Sequence, residues 1–310
     1  MVSILGFRTI SFAQYNLPMI NQYYTNPYLL NPAQAGGYDY PVLYLTYKNQ
    51  WASVSGNPVT TSFTANSPFL KSSGIGINIY NDESGFLAKL KAVVSLSQTV
   101  FFDAENHYFS FGVSAGVINQ HINLGKVIGE TGKPVDPVAI AYNNTHPFYP
   151  DVDFGLAYRF HHLQANLVLP NLVKFIKINS SLSSNYSDLP LYFASLSYEF
   201  PISDAFTFEP MVATHQIQGV ATQWDFSGLF TFLGTVSVGA FYHNNQSYTI
   251  DLGFLVNKTW DFNYAYTQSN STLQQYFGGT NEISVGYHFS KNHQSRSSKN
   301  KLIRCPKAIQ

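Results

Sequence analysis

An alternation of period two runs through nearly the whole chain and constrains its fold more than any other feature. From Ser247 to Asn257, Tyr248, Ile250, Leu252, Phe254 and Val256 fall on one face, with Thr249, Asp251 and Gly253 on the other. Trp260, Phe262, Tyr264 and Tyr266 then alternate with Asp261, Asn263, Ala265 and Thr267, and Ile283, Val285, Tyr287 and Phe289 with Glu282, Ser284, Gly286 and His288. Earlier copies run through Ile75, Ile77 and Ile79, through Phe109, Phe111, Val113, Ala115 and Val117, and through Phe154, Leu156, Tyr158 and Phe160. Helical periodicity is almost absent. About fourteen such segments, each roughly 8 to 13 residues long and closed by Gly, Asn, Pro, Asp or Ser, fit between residues 42 and 290.

Alternation alone suits a soluble β-sandwich as well as a membrane barrel, because each has one apolar and one polar face. Composition separates them. Charged residues are 11% of the chain, against about 25% in soluble proteins, so the polar faces carry Gly, Ser, Thr, Asn and Ala, as a shielded lumen would. The 22 tyrosines and 25 phenylalanines recur near segment ends, where their rings fit two interfacial girdles. Segment lengths match the roughly 9–11 residues that a tilted strand needs to cross the hydrocarbon core. No run of eighteen apolar residues offers a helical span. The expectation is an all-β transmembrane antiparallel barrel of about fourteen strands.

Connection lengths point the same way. Those after even-numbered segments are brief: His161-His162, Pro201 to Asp204, Phe232 to Gly234, and Asn257-Lys258. The long ones, residues 120–150, 171–189 and 268–279, all follow odd-numbered segments. Outer-membrane barrels sort short periplasmic turns from long external loops in this way, and an even strand number puts both termini in the periplasm.

Four regions follow. Residues 1–13, with Ile4, Leu5, Phe7 and Ile10 ahead of Ser11-Phe12-Ala13, read as a secretory signal. Residues 14–41 form a periplasmic, plug-like segment, 42–290 the barrel, and 291–310 a basic periplasmic tail. The tail holds Lys291, Arg296, Lys299, Lys301, Arg304 and Lys307, six of the 17 basic residues, and no acid follows Glu282. The formal charge of zero therefore sums an acidic barrel and a basic tail, and no whole-chain basic field points to nucleic acid. The tail reads as solvated chain that could also touch anionic headgroups or an acidic partner. It includes Cys305, whose thiol suits an intermolecular bridge.

No catalytic constellation stands out. One cysteine excludes a disulfide framework and cysteine-based metal centres. His161-His162 reads as an exposed pair without a third ligand, and the other histidines are scattered. A barrel phospholipase would need a Ser, a His and an orienting polar residue on one strand face, and none can be named. Residues 125–133 lack the glycine spacing of a phosphate loop. The expectation is a non-enzyme with no cofactor and no metal, and its runner-up is a passive outer-membrane channel for small solutes.

The stretch from Tyr23 to Thr61 carries Asn31-Pro32-Ala33, Ala35-Gly36, Gln50-Trp51, Gly56, Pro58 and Thr60 in an order that closely resembles the PorP/SprF family of type IX secretion outer-membrane proteins. Similarity continues through Leu196-Ser197-Tyr198-Glu199-Phe200-Pro201-Ile202-Ser203-Asp204, Glu209-Pro210, Phe262-Asn263-Tyr264-Ala265-Tyr266 and Gly278 to Ile283. Lys48 stands where family members carry Arg. The resemblance implies a fourteen-stranded barrel that helps secrete, retain or display surface proteins such as gliding adhesins, with cargo carrying a type B carboxy-terminal sorting domain. Translocon or motor components and outer-membrane lipid would be its other partners. Asn31, Pro32, Ala33, Gly36, Gln50, Trp51, Gly56 and Pro58 become candidate protein-binding residues. Asn31-Pro32 and Gly36-Gly37 suit a rigid, turn-rich segment folding into the periplasmic mouth. Trp51, Gly56 and Pro58 fit either an aromatic anchor for a partner or a girdle tryptophan with a hairpin turn.

Overall fold

The computed structural model describes residues 20–102, 107–126, 140, 143, 148–173, 190–218, 221–270 and 277–289. The signal expected at 1–13 and the tail at 291–310 lie outside them.

Fifteen strands among these residues form one antiparallel sheet. They are β1 (Val42–Asn49), β2 (Val59–Leu70), β3 (Ser73–Ser84), β4 (Leu87–Phe101), β5 (His107–Ile122), β6 (Tyr149–Phe160), β7 (Leu163–Leu169), β8 (Pro190–Tyr198), β9 (Phe200–Pro201), β10 (Phe206–Ile217), β11 (Gln223–Phe232), β12 (Val236–His243), β13 (Ser247–Val256), β14 (Trp260–Ser269) and β15 (Thr280–His288). β9 continues β8 past Glu199: Met211 of β10 faces Ser197, and the same register carries Phe208 to Phe200. The expected fourteen staves are therefore present, one of them interrupted. β15 pairs with β1 from Val42↔His288 to Asn49↔Asn281, which leaves no free edge.

Burial follows the sequence alternation, with its sense inverted relative to a soluble protein. Ile250, Leu96 and Leu45 are about 60% exposed, while Thr249, Ser95 and Thr46 beside them are essentially inaccessible. A closed wall with apolar residues outside satisfies every backbone group within the sheet, as a bilayer demands. The aromatic girdles are present and differ in composition. Phe206–Phe232, Phe208–Phe230 and Trp260–Tyr287 contacts ring the end carrying the short turns, with centroids 4.4–4.8 Å apart. Tyr242–Tyr248 with exposed Trp224, Tyr266 and Tyr47 lies toward the other end.

The parity of the connections holds for the long ones, which follow β5, β7 and β14, the fifth, seventh and thirteenth staves once β8 and β9 are counted as one. Not every odd stave carries a long loop, however: Gly85 and Phe86 alone join β3 to β4. β4 and β5, of 15 and 16 residues, exceed a bilayer span of roughly 9–11. Their surplus projects at the long-loop end, where Lys126 bonds Glu83 at 3.0 Å.

Candidate functional site

Residues 20–37 run through the lumen as three short 3-10 turns, Ile20–Tyr23, Pro27–Leu29 and Pro32–Gln34. Proline at the first position of a turn has no N–H to lose, and Asn before it caps the next free donor. Asn31 does this for the third turn, accepting from the Ala33 N–H at 3.0 Å. Its amide also donates to the Leu156 carbonyl at 3.0 Å and to Asn166 Oδ1 at 3.1 Å, fastening the turn to β6 and β7.

The wall is shaped to receive this turn. A Cβ on Gly112 of β5 would meet the Ala33 and Pro32 backbone, and one on Gly155 of β6 would meet Asn31 Oδ1. On β3, a side chain at Gly74 would strike the Ala35 carbonyl, and one at Gly76 the ring of Tyr28. Polar groups beside these glycines complete the seat. Gly36 N–H donates to Asn66 Oδ1 at 3.0 Å, Ser97 Oγ donates to the Ala35 carbonyl at 2.7 Å, and Tyr28 shares a 2.8 Å bond with Ser95. Asn31, Pro32, Ala33 and Gly36 are thus all buried against the chain's own wall, facing no solvent.

Tyr23 and Tyr24 meet the wall next to this seat, from β7 round to β12. Tyr23 is fully buried in an apolar cluster with Val168, Phe193, Met211, Ile217 and Phe241, its ring 5.2 Å from Phe193. Asn21 bonds Thr267 and Glu282, and Gln22 bonds Asn263. Contacts with both halves of the wall hold the segment across the bore.

Gln50, Trp51, Gly56 and Pro58 lie at the far, long-loop end, between β1 and β2. The structure therefore splits the eight candidates into two separate groups. Gln50 N–H closes on the Pro58 carbonyl at 2.9 Å. Trp51 takes φ 57° and packs on Phe277 with ring centroids 6.0 Å apart. Ala52 and Ser53 N–H groups bond the Gly279 and Phe277 carbonyls, and Gly85 N–H bonds the Gly56 carbonyl. The β1–β2 loop thereby clasps its neighbours on both sides. Trp51 belongs to this clasp.

Lys48 is buried and points into the lumen directly opposite Glu282. Elsewhere in the lumen Lys91 forms ion pairs with Asp151 at 2.8 Å and Asp153 at 2.7 Å. The sequence named no hydroxyl–histidine–carboxylate set, yet the barrel brings one together. Asp225 bonds His243 Nδ1, His243 Nε2 lies 3.1 Å from Thr249 Oγ1, and that hydroxyl lies 2.7 Å from Thr267 Oγ1. Four strands supply these residues, so no local motif announced them. Thr249 is 1% exposed and its hydroxyl is engaged on both sides, an arrangement that ties β12, β13 and β14 together. Among the described residues no three His, Cys, Asp or Glu side chains converge on a metal position.

Three solved structures align with the chain at low likeness. Omp33 of Acinetobacter baumannii aligns over 82% of this chain and 100% of its own at 7% identity and TM-score 0.47. A Pseudomonas aeruginosa FadL homologue aligns over 84% and 93% at 11% identity and TM-score 0.47. The KdgM porin in complex with disordered oligogalacturonate aligns over 80% and 99% at 9% identity and TM-score 0.39. No curated protein matches the chain in sequence. The profile of the type IX secretion system membrane protein PorP/SprF matches residues 12–287, which take in the luminal segment and all of the barrel but the last residue of β15: the chain belongs to the PorP/SprF family.

Proposed function

We propose that this outer-membrane barrel is a non-enzymatic component of type IX secretion that captures or anchors an exported surface protein at its long-loop end, while residues 20–37 act as a plug. One observation carries the reading: the segment crosses the bore and bonds to opposite walls. A barrel filled in this way gives folded cargo no passage, which leaves the loop end as the working surface. Family membership supports cargo bearing a type B carboxy-terminal sorting domain, gliding adhesins among them. With short turns in the periplasm, the start of β1 and the end of β15, paired at Val42 and His288, lie on that side, where translocon or motor components would be met, and the basic tail would follow.

The test is capture of a purified sorting domain by the barrel reconstituted in vesicles. Saturable retention that is lost when the Gln50–Pro58 loop is replaced by a short Gly-Ser turn supports the reading, and retention unaffected by that replacement overturns it. The runner-up, a passive channel for small solutes, draws on the polar luminal wall, where Ser62, Thr64, Ser95, Ser114 and Thr249 are buried. It requires the segment to leave, so a steady conductance of the intact protein in a planar bilayer would favour it.

A further inference from the structure

We propose a binding site for a hard divalent cation of the calcium class in the lumen, between residues 21–22 and the wall formed by β13, β14 and β15. The inference stands apart from the secretion reading and rests on geometry alone.

Strand register builds the chamber. Asp251 of β13 pairs with Ala265 of β14, which pairs with Glu282 of β15. The two acids thus lie in one row, two strands apart, about 9–10 Å at Cα from the spacing of neighbouring strands. Between them stands a methyl group where any larger side chain would fill the gap. Asp251 is 3% exposed, Glu282 and Ala265 are fully buried, and Gln22 and Asn21 arrive from the luminal segment at 0% and 5%.

Amide nitrogens already serve one oxygen of each acid. Asn263 Nδ2 donates to Asp251 Oδ1 at 2.9 Å, and Asn21 Nδ2 donates to Glu282 Oε2 at 3.3 Å. Gln22 Nε2 donates to Asn263 Oδ1 at 3.0 Å. Four buried oxygens then have no donor: Asp251 Oδ2, Glu282 Oε1, Gln22 Oε1 and Asn21 Oδ1. Turning the amides over does not help. A reversed Asn263 or Asn21 would set its oxygen against a carboxylate, and Asn263, so fixed, fixes Gln22. Buried acceptors of this kind call for a positive partner.

Charge agrees. Lys48, opposite Glu282, is the one buried cation of this row near the chamber, while Asp251 and Glu282 line it and Asp261 stands further along β14. Next in the row, Thr60 bonds Asp82 at 2.6 Å, and Asp82 pairs in register with Lys89, so that neighbour balances itself. His243, held by Asp225 and Thr249, faces the same wall. Two carboxylate and two amide oxygens form an all-oxygen set, which suits calcium, whose shell of 6–8 oxygens water would complete. Because two ligands come from the segment and two from the wall, the ion would tie one to the other.

The test is equilibrium dialysis of radioactive calcium against the full chain, freed of lipopolysaccharide and treated with EDTA in detergent. Barrel integrity is checked by the mobility shift between heated and unheated samples. The expected result is one ion per chain with a Kd of about 0.1–1 mM, the range of extracellular calcium modules. Asp251→Asn should weaken binding at least tenfold, and Gln22→Ala, on the segment and outside the wall, should weaken it several-fold. Glu83→Gln, at the exposed β3 tip, should leave it unchanged. Absence of saturable uptake by the wild-type chain overturns the proposal. So does uptake that survives both luminal variants, or that falls equally with Glu83→Gln.

Discussion

Asn31 fills the space that a side chain at Gly155 would need: a Cβ on that glycine would coincide with the Asn31 amide oxygen. Both residues are buried, one in the luminal segment and one in β6, and they meet because the glycine lets the turn lie against the wall. Gly155→Val should displace the turn while leaving the strand pairing intact, at a cost of about 1–3 kcal/mol for overpacking. Proteolysis from the short-turn side would show it, since residues 20–37 should become cleavable in the variant and stay protected in the wild type. A lipid-facing control, Ala115→Val, should change neither stability nor protection.

Removing the segment should convert a silent barrel into a conducting one. Deletion of residues 20–37 takes away the bonds to Asn66, Ser97, Asn166, Asn263 and Glu282. The fourteen staves keep their own pairing and closure. Planar-bilayer recording should give steps for the deletion variant and none for the intact chain. Equal conductance in both would mean that the segment does not block the bore.

How far the sequence could lead is visible in particular residues. Period two placed Ile250 outward and Thr249 inward correctly because a sheet turns each successive side chain to the opposite face. That same rule cannot say what fills a lumen, since segment and wall come together across sequence separations such as the 261 residues between Asn21 and Glu282. Asn31-Pro32 is legible as part of a rigid, turn-rich segment, but its seat on Gly112 and Gly155 is not, because glycines in strands look like gaps until something lies against them. Trp51 fits a partner anchor or a girdle tryptophan with a hairpin turn, and its ring contact with Phe277, far along the chain, could not be read from its own segment.

The clasp around Trp51 separates ring packing from partner binding. Trp51→Phe should keep the contact with Phe277 and remove an indole N–H that is buried without an acceptor, so barrel stability should hold or rise by about 1 kcal/mol. Trp51→Ala should free the loop from residues 277–279 and weaken capture of the sorting domain by about 2 kcal/mol, roughly thirtyfold, if the loop works as a hot spot. Retention assays in vesicles distinguish the two variants. Equal retention by Trp51→Ala and wild type would leave the loop as a structural brace only.

Lys48 and Glu282 face each other across the β1–β15 pair that closes the barrel, 4% and 0% exposed. Replacing one of two opposed buried charges strands the other, at a cost of about 3–5 kcal/mol, whereas replacing both with apolar groups of similar volume is commonly neutral or stabilising. Lys48→Met should therefore lower the urea midpoint of the barrel in lipid vesicles, followed by tryptophan fluorescence, and Lys48→Met/Glu282→Leu should restore most of it. Lys48→Arg should keep wild-type stability, because a guanidinium can offer the carboxylate two parallel donors. Should Lys48→Met unfold at the wild-type midpoint, the two charges are solvated well enough not to need each other, and the closing seam depends on its backbone ladder alone.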